Sequence, residues 1–265
     1  ISYFILDSTG KSVTDLIETK DALNLSLNIP IKDLDLNSGN DTFQLTGSVG
    51  SSFNGGTGND SFYISLPDND IDGGDGIDTA VIGNSPDRFK FSKDGTKLII
   101  TSNIDGTKNS ISDIERIQFS DKAYALDING NAGAAAKAII ATFGAESLNA
   151  YMVPALSVVD GGMSLVQVCD LVVNNQLIES VIGSNSNGAF VDHVYENVVG
   201  VAPSQEDHDT FTALLDDGTY TKSSLLSLAA TLTESLVTAN SVDLIGVAGS
   251  ADGEILALQY DLGLG

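Results

Sequence analysis

The period of the apolar positions changes along the chain. Ser12-Val13-Thr14-Asp15 has the form of a capping box opening a short helix to about Leu23, and the alternation over Leu23–Leu36 predicts strand. From Leu36 to about Ala80, isolated apolar residues stand among Gly, Asn, Asp and Ser, too sparse for an ordinary core. Over 86–128 the alternation returns. Phe89 and Phe91 alternate, Asp94-Gly95 supplies a hairpin turn, Leu98 and Ile100 alternate back, and a further strand is predicted around Ile114–Phe119. After Gly133 the spacing becomes three-and-four, which predicts helices over Ala134–Phe143, Leu165–Val173, Ala189–Val199, Gln205–Leu215 and Ser223–Leu236. Ser204-Gln-Glu-Asp207 reads as a capping box and Asn187 as the cap before Ala189, while Asp160-Gly161 and Asp217-Gly218 supply turns.

The helical pattern repeats. Phe143-Gly144 returns as Val199-Gly200 after 56 residues, and the segment from Asp160 to Leu171 aligns with that from Asp217 to Leu228 to within a residue. Two related helical units packed against one another are expected.

Charge narrows the function classes. Twelve Lys+Arg stand against 36 Asp+Glu in 265 residues, a net of −24, which excludes affinity drawn from a nucleic-acid backbone or from a polybasic membrane surface. The excess is uneven: residues 1–137 carry −9, whereas 138–265 carry −15 with Lys222 as their single basic residue. No run of 18 apolar residues predicts a membrane span. One cysteine, Cys169, rules out an intrachain disulfide framework, and its place in an apolar run reads as a buried, inert thiol. The chain opens at Ile1 without methionine or a basic leader and is read as part of something longer.

One motif carries chemistry. Gly55-Gly-Thr-Gly-Asn-Asp60-Ser-Phe-Tyr63 fits the nonapeptide G-G-x-G-x-D-x-U-x, where U is large and apolar. Gly73-Gly-Asp-Gly-Ile-Asp78-Thr-Ala-Val81 fits except at its eighth position, and Leu36-Asn-Ser-Gly39-Asn-Asp41-Thr-Phe43-Gln keeps only the fourth, sixth and eighth. The aspartates are separated by 19 and 18 residues, so two nine-residue half-turns return the chain to the same edge one strand spacing higher. Three loops then stack on one edge, and turns such as Thr46–Ser52 and Ser65–Asp70 form the other. Glycines allow positive φ, and the aspartates supply the charge that an oxygen-seeking cation requires. Candidate ligating residues are Asn37, Gly39, Asp41, Gly55, Gly56, Thr57, Gly58, Asp60, Gly73, Asp75, Gly76 and Asp78, for about two to three Ca²⁺ ions. Without cation, aspartates stacked about 5 Å apart repel one another and the stack is not expected to form.

Residues 36–128 resemble the RTX repeats and following β segment of bacterial proteins exported by type I secretion; Asp113-Ile-Glu-Arg-Ile-Gln-Phe119 is similar to the strand that closes such rolls. Residues 129–240 resemble a helical repeat domain of unassigned function found after RTX repeats in bacterial surface proteins, on Phe190-Val-Asp-His-Val-Tyr195-Glu-Asn-Val-Val-Gly200 and Leu214-Leu-Asp-Asp-Gly218. In place of that family's aromatic-rich, Arg-containing segment stands Val201-Ala-Pro-Ser-Gln. The resemblance implies α+β structure in separate domains: a leading segment 1–35, a short parallel β-roll with a closing β-hairpin segment over 36–128, an all-α helical repeat domain over 129–240, and a tail 241–265 in the region of an uncleaved secretion signal.

Histidine occurs only at His193 and His208, there is no H-E-x-x-H or G-x-S-x-G motif, and no catalytic set is found. Asp127-x-Asn129-x-Asn131 reads as a polar joint or a minor calcium loop. Three readings stay open. The first is a non-catalytic extracellular calcium-binding protein of a surface layer, filament or adhesin, folded by calcium after export and self-associating. The others are the carboxy-terminal secretion cassette of an exoenzyme and a module for cell-surface polysaccharide.

Overall fold

The computed structural model describes residues 24–27, 34–45, 50–64, 68–245 and 254–262; the helix expected before Leu23 lies outside them. The fold is a strand-rich amino-terminal part followed by a helical part. The chain divides into two units, Ile1–Leu126 with Asp243–Ile255, and Asp127–Val242 with Leu256–Gly265. The residues expected to form one tail are thus shared between the units.

Short strands that alternate between two sheets build the first unit. They are β1 (Asn24–Leu27), β2 (Leu34–Asp35), β3 (Thr42–Leu45), β4 (Ser52–Asn54), β5 (Ser61–Ile64), β6 (Asp70–Asp72) and β7 (Thr79–Val81). There follow β8 (Phe89–Asp94), β9 (Lys97–Ser102), β10 (Lys108–Ser112), β11 (Arg116–Gln118) and β12 (Lys122–Ala125). Within this unit one sheet runs β1-β3-β5-β7-β11-β12 and the other β2-β4-β6-β10-β9-β8. Pairing is parallel through β1–β7 and onto β10 and β11, in registers such as Phe43↔Phe62↔Ala80↔Ile117 and Phe53↔Ile71↔Ile111. It is antiparallel between β8 and β9, β9 and β10, and β11 and β12. Both sheets are therefore mixed and not parallel throughout, because turns of two to five residues, as at 95–96, 103–107 and 119–121, return the chain antiparallel. Phe43, Phe53, Phe62, Ile71, Ala80, Ile111 and Ile117 are buried, with the Phe43 and Phe53 rings 4.3 Å apart. The segment that looked too polar for a core supplies at least one buried apolar side chain per strand from β3 to β7, and stacking makes these continuous.

In the second unit the helices are α1 (Asn131–Phe143), α2 (Leu148–Asp160), α3 (Leu165–Asn174), α4 (Leu177–Ile182), α5 (Asn187–Val199), α6 (Gln205–Asp216), α7 (Lys222–Thr231) and α8 (Glu234–Ala239). Each of α1–α4 has a counterpart in α5–α8 that begins 56 or 57 residues later, with the same order of lengths. The sequence pattern missed α2. Pro154 lies inside it, yet Leu148, Met152, Leu156 and Val159 are buried at helical spacing. The single helix expected over Ser223–Leu236 is two, parted at Leu232 and Thr233, and Ser186, not Asn187, caps α5 by accepting the Ala189 N–H. Ser204 caps α6 as expected, accepting the Asp207 N–H at 3.1 Å.

Helix α1 is alanine-rich, with Ala132, Ala135, Ala136, Ala138 and Ala141 buried, and it packs against α2, α3, α4, α5, α7 and α8. Small side chains permit that many neighbours. Two short strands follow, β13 (Val242–Asp243) and β14 (Leu256–Asp261); Asp261 on β14 exchanges two hydrogen bonds with Asn149 of α2. No helix among the described residues is long and apolar enough to cross a membrane.

Lys222 ties the two helical repeats together. Its Nζ donates to Glu179 Oε1 at 3.0 Å, to the Asn185 carbonyl and to Asn185 Oδ1, and lies 5.5 Å from the centre of the Phe190 ring. Both side chains of the Lys222–Glu179 pair are only 14% exposed. Lys222→Met leaves the Glu179 charge without its cation and is expected to lower stability by about 2–3 kcal/mol, which Lys222→Met with Glu179→Leu recovers in part. Urea unfolding followed by far-UV circular dichroism checks both.

Candidate metal centre

Every loop that crosses from the second sheet to the first lies on one edge of the strand unit: 36–41 before β3, 55–60 before β5, 73–78 before β7, and 113–115 before β11. Main-chain bonds hold the first three in register through the bridges Ser38↔Thr57↔Asp75. Gly39 N–H donates to Thr57 O, Thr57 N–H to Asn37 O, Gly58 N–H to Asp75 O, and Asp75 N–H to Gly56 O, at 2.8–2.9 Å. The residue that ends each preceding strand turns its own loop: Asp35 Oδ1 accepts the Asn37 N–H and Asn54 Oδ1 the Gly56 N–H.

The stacking leaves no room for side chains. A Cβ on Gly58 would strike the Gly39 carbonyl oxygen, one on Gly76 the Gly58 carbonyl oxygen, and both glycines sit at positive φ. Asn37, at φ 66°, takes the register of Gly56 and Gly74, a place that asparagine tolerates. Leu36 stands at the register of Gly55 and Gly73 and buries its side chain there.

The motif aspartates form a ladder. Asp41 N–H donates to Asp60 Oδ1 and Asp60 N–H to Asp78 Oδ1, both at 2.7 Å, and Asp78 N–H donates to Glu115 Oε2 at 2.8 Å. Asp60 and Asp78 are 1% and 0% exposed, and their Oδ2 atoms are buried without a hydrogen-bond partner. The Oδ2 of Asp60 lies beside the Gly73 carbonyl oxygen at the space left by Gly55, and a Cβ there would strike both. Burial raises the Asp60 carboxyl to about 6 and that of Asp78 to about 7, with neighbouring acids adding to the rise and the accepted N–H opposing it.

The opposite edge solves the same problem with neutral groups. Ser51 N–H donates to Asn69 Oδ1 and Asn69 N–H to Asn109 Oδ1. An amide ladder carries no charge to offset.

Of the predicted residues, the structure brings Asp41, Asp60 and Asp78 into the ladder and places Gly55, Gly56, Gly58, Gly73 and Gly76 at close backbone approaches. Gly39 supplies a carbonyl to that packing. Asn37, Thr57 and Asp75 are exposed and contribute main-chain bonds. Asp72, Asp113 and Glu115 escaped the sequence reading. For Asp113 and Glu115 the signal was the polar–Ile–polar triplets that flank them at 110–112 and 116–118, of which the first repeats the pattern of 70–72; the two pair in register with 70–72 and 79–81.

Among the described residues, no three His, Cys, Asp or Glu side chains gather as a metal site. What gathers here is one carboxylate oxygen per rung with main-chain carbonyls. Buried anionic oxygens that lack donors fit a hard cation, and Ca²⁺ takes six to eight oxygens of both kinds.

The other candidates have structural partners. His193 Nε2 donates to the Thr142 carbonyl at 2.7 Å, and His208 pairs with Asp192, which raises its pKa above the usual histidine range. Burial pushes the Cys169 thiol up to about 12, leaving it unreactive. Asp127 Oδ2 accepts the Ala132 N–H at the start of α1, and Asn131 donates to Val159 O and Asp160 Oδ1. No protein-family model matches the chain, and no curated protein matches it.

The raised carboxyls set a pH dependence for the calcium-free protein. Between their ordinary value of 3.8 and about 7, the folded strand unit binds more protons than the unfolded chain, so stability falls as pH rises through that window. In chelator, the melting temperature of the strand unit is expected to increase from pH 7.5 to pH 5. Asp60→Asn with Asp78→Asn is expected to flatten that slope, as differential scanning calorimetry would show.

Proposed function

We propose that the strand-rich unit is a calcium-dependent β-roll of the RTX kind, parallel through its repeats and closed by antiparallel strands, in a non-catalytic extracellular protein. One observation carries this reading: Asp60 and Asp78 each hold a fully buried carboxylate oxygen with no donor, one above the other at the strand spacing. Left as anions they oppose folding, and a divalent ion between rungs turns the opposition into attraction.

The energetics suit a protein that folds outside the cell. Extracellular calcium modules bind at about 10⁻⁴–10⁻³ M. An ion at tenfold excess over its dissociation constant contributes about 1.4 kcal/mol, and two such ions are a sizeable share of about 5–15 kcal/mol. At much lower calcium the contribution vanishes and the chain stays open for passage through a type I exporter.

For the helical unit we propose association between copies. Support comes from two apolar clefts of about 260 and 130 Å³ at equivalent places in the two repeats. Ile139, Phe143 and Leu171 line the first where Tyr195, Val199 and Leu228 line the second. Copies that each carry −24 repel, so apolar burial and bridging calcium are the forces available to join them.

Chelation of the full chain is expected to weaken β-sheet ellipticity and lower the melting temperature, with recovery on adding calcium. An unchanged melt in chelator would overturn the calcium reading. In calcium at high protein concentration, sedimentation velocity is expected to show oligomers that Val199→Glu with Leu228→Glu dissolves. A monomer throughout would remove the association.

A further inference from the structure

We infer that the closing segment 112–116 completes a further calcium site with the last repeat, built from Asp78, the Asp113 carbonyl and the carboxylates of Asp72, Asp113 and Glu115. This rests on the calcium reading of the ladder and extends it to residues outside the nonapeptides.

The argument is one of equivalence between rungs. At Gly55, Asp60 Oδ2 meets the carbonyl oxygen of Gly73, the residue one rung higher. At Gly73, the space for a Cβ is filled in the same way by Asp78 Oδ2 and the carbonyl oxygen of Asp113. Asp113 therefore holds the place of the next repeat's first glycine, although 40 residues and a hairpin separate it from Gly73. The hydrogen bonds agree. Gly55 N–H donates to Asp72 O and Gly73 N–H to Ser112 O, while Thr79 N–H donates to Asp60 O and Arg116 N–H to Asp78 O.

The closing loop is a shortened rung. Three residues span from β10 to β11, where six span from β4 to β5 and from β6 to β7. Glutamate, one methylene longer than aspartate, reaches across the shorter loop, and Glu115 Oε2 accepts the Asp78 N–H as Asp78 Oδ1 accepts that of Asp60. Asp113 adopts φ 48°, a left-handed conformation that aspartate tolerates better than most side chains.

One buried carboxylate stands at this junction, with further acids on the residues around it. Asp78 is 0% exposed, and its Oδ2, without a hydrogen-bond partner, lies beside the Asp113 carbonyl. Asp72 is half-buried with the Asp113 charge near it. Lys97, one basic group near Asp72, has its Nζ 2.6 Å from both carboxylate oxygens of Asp70. Arg116 turns an Nη1 donor to the Glu115 main-chain carbonyl. A buried carboxylate oxygen without a donor beside a main-chain carbonyl, with the Glu115 carboxylate on the next rung, suits Ca²⁺, and Asp72 and Asp113 can turn further oxygens to an ion held there. An ion there would clip the hairpin and closing strands onto the repeats, so both would fold together.

Isothermal titration calorimetry of the calcium-stripped full chain with CaCl₂ tests this. Asp72→Asn with Asp113→Asn, which keeps a residue tolerant of positive φ, is expected to bind one ion fewer than the unaltered chain. Its circular dichroism in saturating calcium should be unchanged. Equal stoichiometry and affinity in the two chains would overturn the site while leaving the ladder reading intact. An unaltered chain that binds no calcium would overturn both. Should the double variant not fold, Glu115→Gln keeps the acceptor for the Asp78 N–H and removes a charge. It is expected to weaken the last-filling ion by about tenfold, and unchanged affinity for every ion would overturn the site.

Discussion

Carboxylates buried one above another, each with an oxygen that no protein donor reaches, are the constraint on which the strand unit depends. The loops bring them there because Gly55, Gly58, Gly73 and Gly76 let main chain lie directly on main chain. The same closeness that completes the hydrogen-bond ladder strips water from Asp60 and Asp78. A neutral ladder would be free of the difficulty, and the opposite edge, built on Ser51, Asn69 and Asn109, shows one. The acid ladder thus stands on one edge and the amide ladder on the other.

That asymmetry gives the acidic composition two separate meanings. In the strand unit, part of the negative charge is structural, held in a buried column and capped by Glu115. In the helical unit the acids are mostly on the surface, and the single lysine of residues 138–265 is drawn into the seam between the two repeats. The helical unit thus has a charge-poor interior, built on the alanines of α1 and the apolar faces packed around it, with its acids left to water.

Legibility followed locality. The 19- and 18-residue separations of Asp41, Asp60 and Asp78 placed them on one edge before any coordinates, because nine-residue half-turns leave little freedom of phase. The doubled helical unit was readable for a similar reason, since most of its helices carry their own apolar face. Helix α2 was hidden by Pro154, although its buried residues keep helical spacing. Glu115 was hidden by distance: it lies 37 residues beyond Asp78, after a hairpin that breaks the period. Asp72 was passed over because it stands just ahead of the glycine pair, outside the nonapeptide.

The amino-acid sequence by itself determined the stacking of the repeats, the edge on which their aspartates fall, the division into strand-rich and helical parts and the doubling of the second. All of these follow from periods of nine, 3.6 and about 56 residues that each segment carries alone. Only the tertiary structure decided which oxygens lose their donors, that amides form the ladder on the far edge, and that 113–115 forms a shortened fourth rung. Those are properties of atoms brought together from segments up to 40 residues apart, and no local pattern encodes which carbonyl will face which carboxylate.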